Sequence, residues 1–194
     1  MIKMAAVEPI FYIDTNVIRD CIRGRNKESV AAMTFIRRNK WKCYTSIFSL
    51  MELADTEKEQ IFFDKKRRKG WDANKILSQR RNMDLSSSDL NEAAELIETF
   101  LKEYDFVEQQ NLDKAQSWER ALKIASETNL RATDIIHLTT AAESQCNIIL
   151  TSDEPFIKYG KLFLNSTKTK IQFSKTNEKE INKILGKIYP KSIS

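Results

Sequence analysis

Apolar runs alternate with amphipathic periods along this chain. Residues 10–13 are apolar or aromatic without a polar break, as in a strand buried on both faces, and the run stops at Asp14. Further short strands are expected at 42–47 (KCYTSI), 105–109 (DFVEQ), 148–150 (IIL, running on to Asp153) and 170–175 (KIQFSK). Between them lie segments of helical period. One covers 16–25, and a second covers 28–39 with Val30, Met33 and Ile36 on one face beside Ala31 and Phe35. A third covers 48–63, where Glu52 sits among Leu50, Leu53 and Ala54. The serines at 86–88 read as a loop. Asp89 with Glu92 then has the form of a capping box for a helix with apolar positions Leu90, Ala93, Ala94, Ile97, Phe100, Leu101 and Tyr104. Asp113 with Gln116 repeats that form ahead of 114–127, and Thr133 is the expected N-cap of a helix within 131–145. A short helical segment near 156–161 and a final helix at 177–189 complete the pattern. There is no internal repeat and no Gly/Pro-rich linker.

Strands separated by amphipathic helices imply right-handed crossovers, a parallel sheet and an α/β fold. Sites in such sheets gather at the carboxyl ends of the strands. Asp14 and Asp153 both follow apolar strands, Asp134 opens a helix, and Glu52 lies on an inward helical face. Taken singly, each acid has an ordinary structural role as cap, rim or turn residue. Taken together in one cleft they repel, by about 4 kcal/mol for two carboxylates 4 Å apart at an effective dielectric of 20. Such a cluster needs protons or a bridging cation. Oxygen-only donors select a hard metal, Mg²⁺ or Mn²⁺, and such a site suits phosphoryl chemistry.

Composition narrows the classes. With 194 residues, 41% apolar and 30% charged, the chain is expected to form one globular domain without disorder. No apolar run reaches the ~20 residues of a membrane helix, and neither signal peptide nor anchor is expected at the start. Three widely spaced cysteines (Cys21, Cys43, Cys146) argue against disulfides and zinc and for a reducing cytoplasm. The net charge of +5 is unevenly placed. Between Lys65 and Arg81 stand eight basic residues (Lys65, Lys66, Arg67, Arg68, Lys69, Lys75, Arg80, Arg81) with one acid, Asp72, and Trp71 among them. That run is either a track for a phosphate backbone with one stacking platform or a solvated helical face. The glycines form neither a dinucleotide nor a Walker loop. Asn16 occupies the position where a haloacid-dehalogenase-type phosphatase carries a second aspartate.

In order, YIDTNVIRD, TSIFSLMEL, RATDIIHLTTA and IILTSDEPF resemble the four acidic motifs of the PIN-domain nucleases, including the VapC-like endoribonucleases. The resemblance spans Phe11 to Phe156. It implies a three-layer α/β/α sandwich and a Mg²⁺- or Mn²⁺-dependent nuclease for single-stranded RNA. Asp14, Glu52, Asp134 and Asp153 match the acidic positions that bind metal and catalyse. Thr15, Asn16, Thr151 and Ser152 match the polar residues that support them. Compact VapC-like members are toxins held inactive by a small antitoxin protein; a second copy of the chain is another partner to consider. This chain is longer, with a basic helical insertion about 64–88, where Lys65–Lys69, Arg80 and Arg81 are the candidate substrate contacts, and a C-terminal extension about 157–194. A rival reading is an RNA-binding or assembly module whose acids are vestigial. His137 shares a helix face with Asp134 and is read first as a packing residue near the site, second as a proton shuttle or substrate contact.

Overall fold

The computed structural model describes residues 8–112, 115–167 and 170–189. Its elements run β1 (Ile10–Ile13), α1 (Thr15–Arg23), α2 (Lys27–Arg38), β2 (Lys42–Ser46), α3 (Ile47–Arg68), α4 (Ala73–Ser78), a 3-10 turn (Arg80–Asn82), α5 (Ser87–Glu103), β3 (Val107–Gln110), α6 (Ala115–Glu127), α7 (Ala132–Glu143), β4 (Ile148–Leu150), α8 (Glu154–Thr167), β5 (Gln172–Ser174) and α9 (Glu178–Ile188).

The strands form one sheet in the order β3-β2-β1-β4-β5, with every pairing parallel. The pleat divides the apolar residues between two helical layers. Phe11, Ile13, Cys43, Ile148 and Leu150 pack with Val17, Met33, Leu53, Phe100 and Ile181 from α1, α2, α3, α5 and α9. Tyr12, Ile149 and Phe173 point the other way, onto Ile124, Leu138 and Phe156 from α6, α7 and α8. Both faces are covered, which is why these strands read as unbroken apolar runs. The fold is the expected α/β sandwich. Its chain order reverses direction at β1, so a crevice opens beyond the carboxyl ends of β1 and β4.

Several local expectations shift. In α2 the buried stripe is Ser29, Ala32, Met33 and Ile36, while Ala31 is exposed: the turn centred on Met33 brings Ala32 inward. The serines at 86–88 are not a loop. Ser86 caps α5, its hydroxyl receiving the Asp89 N–H while the Asp89 carboxylate returns to the Ser86 backbone, so the helix starts before the Asp89/Glu92 pair. Leu90 and Ala94 then face solvent. Thr133 lies inside the first turn of α7, whose N-cap is Arg131. The expected cap at Asp113 lies outside the described residues. The helix near 156–161 extends over all of α8. The described residues of the expected extension are built into the fold, with β5 pairing with β4 and Ile181 of α9 fully buried in the core. No helix among the described residues is long and apolar enough to cross a membrane.

Gly160 in α8 lies directly against the Phe173 ring. A methyl placed there would stand 2.7 Å from Cε2 and closer still to Cζ. That ring cannot easily yield, because Phe156 meets it edge-on at 5.0 Å. Overpacking of this kind costs about 1–3 kcal/mol, against the ~1 kcal/mol that alanine gains over glycine in a helix. Gly160→Ala should therefore lower the urea midpoint; a more stable variant would show that α8 and β5 are less tightly packed.

Candidate active site

Asp14 ends β1 and caps α1. It is 5% exposed, and its Oδ1 accepts the Thr15 N–H at 2.7 Å. Its Oδ2 accepts from Asn16 Nδ2 at 2.7 Å and from the Thr151 hydroxyl at 2.5 Å. Asn16 also donates to Thr151 Oγ1 at 3.0 Å and accepts the Ser152 N–H at 3.3 Å. The loops after β1 and β4 are thus tied together around one carboxylate. Ser152 contributes only its backbone to this frame, since the residue is exposed.

Glu52 reaches the same place from α3. The N-terminus of α3 is fixed by a Ser46–Ser49 capping box, and the Tyr12 hydroxyl donates to Ser46 Oγ at 3.1 Å. The same hydroxyl lies 2.8 Å from His137 Nδ1. Across the ring, His137 Nε2 stands 3.1 Å from Glu52 Oε2 and 3.5 Å from Asp14 Oδ1. Thr15 donates its hydroxyl to Glu52 Oε2 at 2.6 Å. His137 is 2% exposed and belongs to the site itself, clamped between a tyrosine and two acids. Burial opposes its positive charge, yet Tyr12, Glu52 and Asp14 together carry its pKa well above the ordinary value. Burial likewise works to raise Glu52, but the bonds from His137 and Thr15 hold that carboxyl below its usual range.

Asp134, in the first turn of α7, accepts the Arg131 N–H at 3.3 Å. Asp153 caps α8 through Oδ1, which accepts the Phe156 N–H at 2.9 Å. All four acids line one cleft of about 160 Å³ with Arg19, Arg131 and His137. Burial raises the pKa of Asp134, and the charges of Asp153 and Asp14 add to the rise. Burial raises Asp14 as well.

The sequence expectations missed Tyr12, Ser46, Ser49, Arg19 and Glu57. Tyr12 carries a lone hydroxyl inside an apolar strand, and Ser46-x-x-Ser49 has capping spacing directly after a strand; both were visible signals. Glu57 is fully buried in α3, held by Arg23 Nε at 2.7 Å and by Arg23 Nη2. It lies four residues after Leu53 and four before Ile61, on their buried stripe.

The basic stretch divides. Lys65 pairs with Asp89 at 2.6 Å and Arg80 with Glu59 at 2.6 Å. Lys66 is buried, pairs with Asp84 at 2.7 Å, and lies over the rings of Phe62 and Trp71. Lys75 also rests on Trp71, so that ring already carries two cations. Arg67, Arg68, Lys69 and Arg81 are exposed. At 1.5 Å per residue, Lys66 stands roughly 20 Å along α3 from Glu52, where the cations complement the helix's negative end.

A family model described as PIN domain matches residues 11–162. The chain belongs to the PIN-domain family. Among solved structures, the fold is similar to VapBC2 from Rickettsia felis, a structure bound to a DNA fragment from their promoter, at TM-score 0.52 and 11% identity over 86% of this chain and 98% of that one. It is also similar to FitAcB from Neisseria gonorrhoeae, at TM-score 0.50 and 16% identity over 84% and 96%. No curated protein matches the chain.

PIN domains are nucleases as a family and typically use divalent metals. The donors of this PIN domain fit such an ion in kind: Asp14, Asp134 and Asp153 offer only hard oxygens. Burial foremost raises Asp14 and Asp134; like charge, from Glu52 on the one and from Asp153 and Asp14 on the other, adds to the rise, and a divalent cation would offset that part. Glu52 is instead turned to His137 and Thr15. Among the described residues, no three acidic, histidine or cysteine side chains are already gathered to hold an ion.

A group whose folded pKa is raised stabilises the fold fully below its unfolded value and loses that contribution as pH rises through the folded one. For His137 the loss begins near its ordinary 6.5. In chelator, the thermal midpoint should fall as pH is raised from there, and His137→Gln should flatten the fall. An identical pH slope in both proteins would mean that the imidazole is not held charged.

Proposed function

We propose that this PIN domain is an endoribonuclease that hydrolyses phosphodiester bonds of single-stranded RNA with Mg²⁺ or Mn²⁺. The observation that carries the reading is the convergence of Asp14, Glu52, Asp134 and Asp153 on one cleft at the switch point of the sheet. Asp14, Asp134 and Asp153 would hold the ion, which supplies Lewis-acid charge for the scissile phosphate when bound. Asn16 and Thr151 keep the Asp14 carboxylate oriented. Glu52, 35% exposed and restrained by Thr15 and His137, is the acid placed to take a proton from attacking water. His137 in turn is bonded through Tyr12 to Ser46, a buried chain that fixes the orientation of the imidazole.

For a protein partner we propose a small antitoxin. The fold shared with VapBC2 and FitAcB supports it, as does a groove of about 360 Å³ beside the acids, where Phe48 and Met51 are exposed. Arg67, Arg68, Lys69 and Arg81 are the cations of the basic stretch left for RNA; Lys66 is committed to the fold. The reducing cytoplasm is the compartment that suits three unpaired cysteines.

Cleavage of a labelled single-stranded RNA with Mg²⁺ or Mn²⁺, compared between wild type and Asp14→Asn, tests the catalytic reading. The variant should be slower by about 10²-fold or more, the usual scale for losing a positioned acid or base. Equal rates, or no cleavage by wild type across varied RNAs, would leave an RNA-binding module instead.

A further inference from the structure

An RNA phosphate entering this cleft meets carboxylates on several sides, and the chain must offer it a cation. The basic stretch is far along α3 at Lys66, and Arg80 is occupied by Glu59. Lys175 is paired with Glu154. Arg131 also lines the cleft, from the exposed N-cap of α7, but among the described residues its side chain has no ion-pair partner to hold it in place. Arg19 differs from all of these. It lies four residues after Thr15 on α1, hence on the same face, and lines the cleft with the four acids. Its side chain is 27% exposed.

The setting of Arg19 is built from below. The buried Glu57 carboxylate takes its hydrogen bonds from Arg23, and stands 3.4 Å from Arg19 Nε as an ion pair without hydrogen-bond geometry. Arg19 Nη2 donates to Gln60 Oε1 at 3.3 Å. Among the described residues Nη1 makes no hydrogen bond. A buried carboxylate thus holds a guanidinium at the wall of an acidic cleft, with one edge of its fork uncommitted. Guanidinium forks match phosphate oxygens and stay charged at any working pH.

We infer that Arg19 is the residue that binds a non-bridging phosphate oxygen of the nucleic-acid backbone at the active site, with Glu57 and Gln60 as its positioning residues. The nature of the substrate rests on the nuclease reading above; the contact is to backbone, and carries no base preference.

Binding of a fluorescent single-stranded oligoribonucleotide to the full chain, carrying Asp14→Asn to block turnover, separates the two claims. Adding Arg19→Gln should weaken binding about tenfold and flatten the slope of log affinity against log salt by about 0.7, one single-strand phosphate contact. Arg19→Lys should fall between, keeping the charge without the fork. Since Arg19→Gln alters the surroundings of a buried carboxylate, the same RNA should also protect Arg19 of the unmutated chain from an arginine-selective reagent, read by mass spectrometry. An unchanged affinity and slope, absence of RNA binding, or an unprotected Arg19 would each overturn the inference. Arg19-dependent binding without cleavage by wild type would sink the nuclease reading alone, and cleavage with Arg19-independent binding would sink this one alone.

Discussion

Moving a carboxylate from water into a protein interior costs several kcal/mol unless hydrogen bonds and opposite charge replace its hydration. Asp14 sits under that constraint, at the buried end of the strand on which the sheet reverses order. Thr15, Asn16 and Thr151 supply the hydrogen bonds, and His137 supplies charge from 3.5 Å. Those partners come from α1, from the loop after β4 and from α7. The carboxylate can therefore be satisfied only where the crossovers of a parallel sheet converge. Fold and site are joined at this residue.

The remaining acids are graded around it. Glu52 is kept ionised by its bonds to His137 and Thr15, whereas burial pushes Asp14 and Asp134 toward the protonated form, at Asp134 with the charges of Asp153 and Asp14 adding to it. Environments that separate the pKa values of adjacent acids are what acid–base chemistry requires. A second buried carboxylate, Glu57, shows the same rule without the same use. Two arginines neutralise it, and its place in the fold is to seat them.

Much of this was legible in the chain because it is local. An apolar run ending at Asp14, another ending before Asp153, and Glu52 inside an apolar helical stripe are patterns of period 2 or 3.6, and in the structure these acids line one cleft. What escaped depends on pairing across the fold. His137 read first as packing because its partners Tyr12, Glu52 and Asp14 lie 125, 85 and 123 positions away along the sequence. Lys66 read as either a nucleic-acid contact or part of a solvated face because its neighbours are cationic, whereas its partners, Asp84 and the Phe62 and Trp71 rings, are reached only when α3 and the segment after it fold back. Cap positions slipped by a few residues at Ser86 and Arg131. At such ends several polar residues compete for the same backbone groups, and tertiary packing chooses among them.

On the proposed reading, burial and like charge hold these acids in tension at the end of the sheet, and a bound divalent cation would relieve it. Thermal unfolding of wild type and Asp134→Asn, in chelator and then in Mg²⁺ or Mn²⁺, tests that most directly. Removing one charge should raise the midpoint in chelator, and adding the ion should raise the midpoint of wild type far more than that of the variant. A variant less stable than wild type in chelator, together with a wild-type midpoint indifferent to either metal, would contradict it.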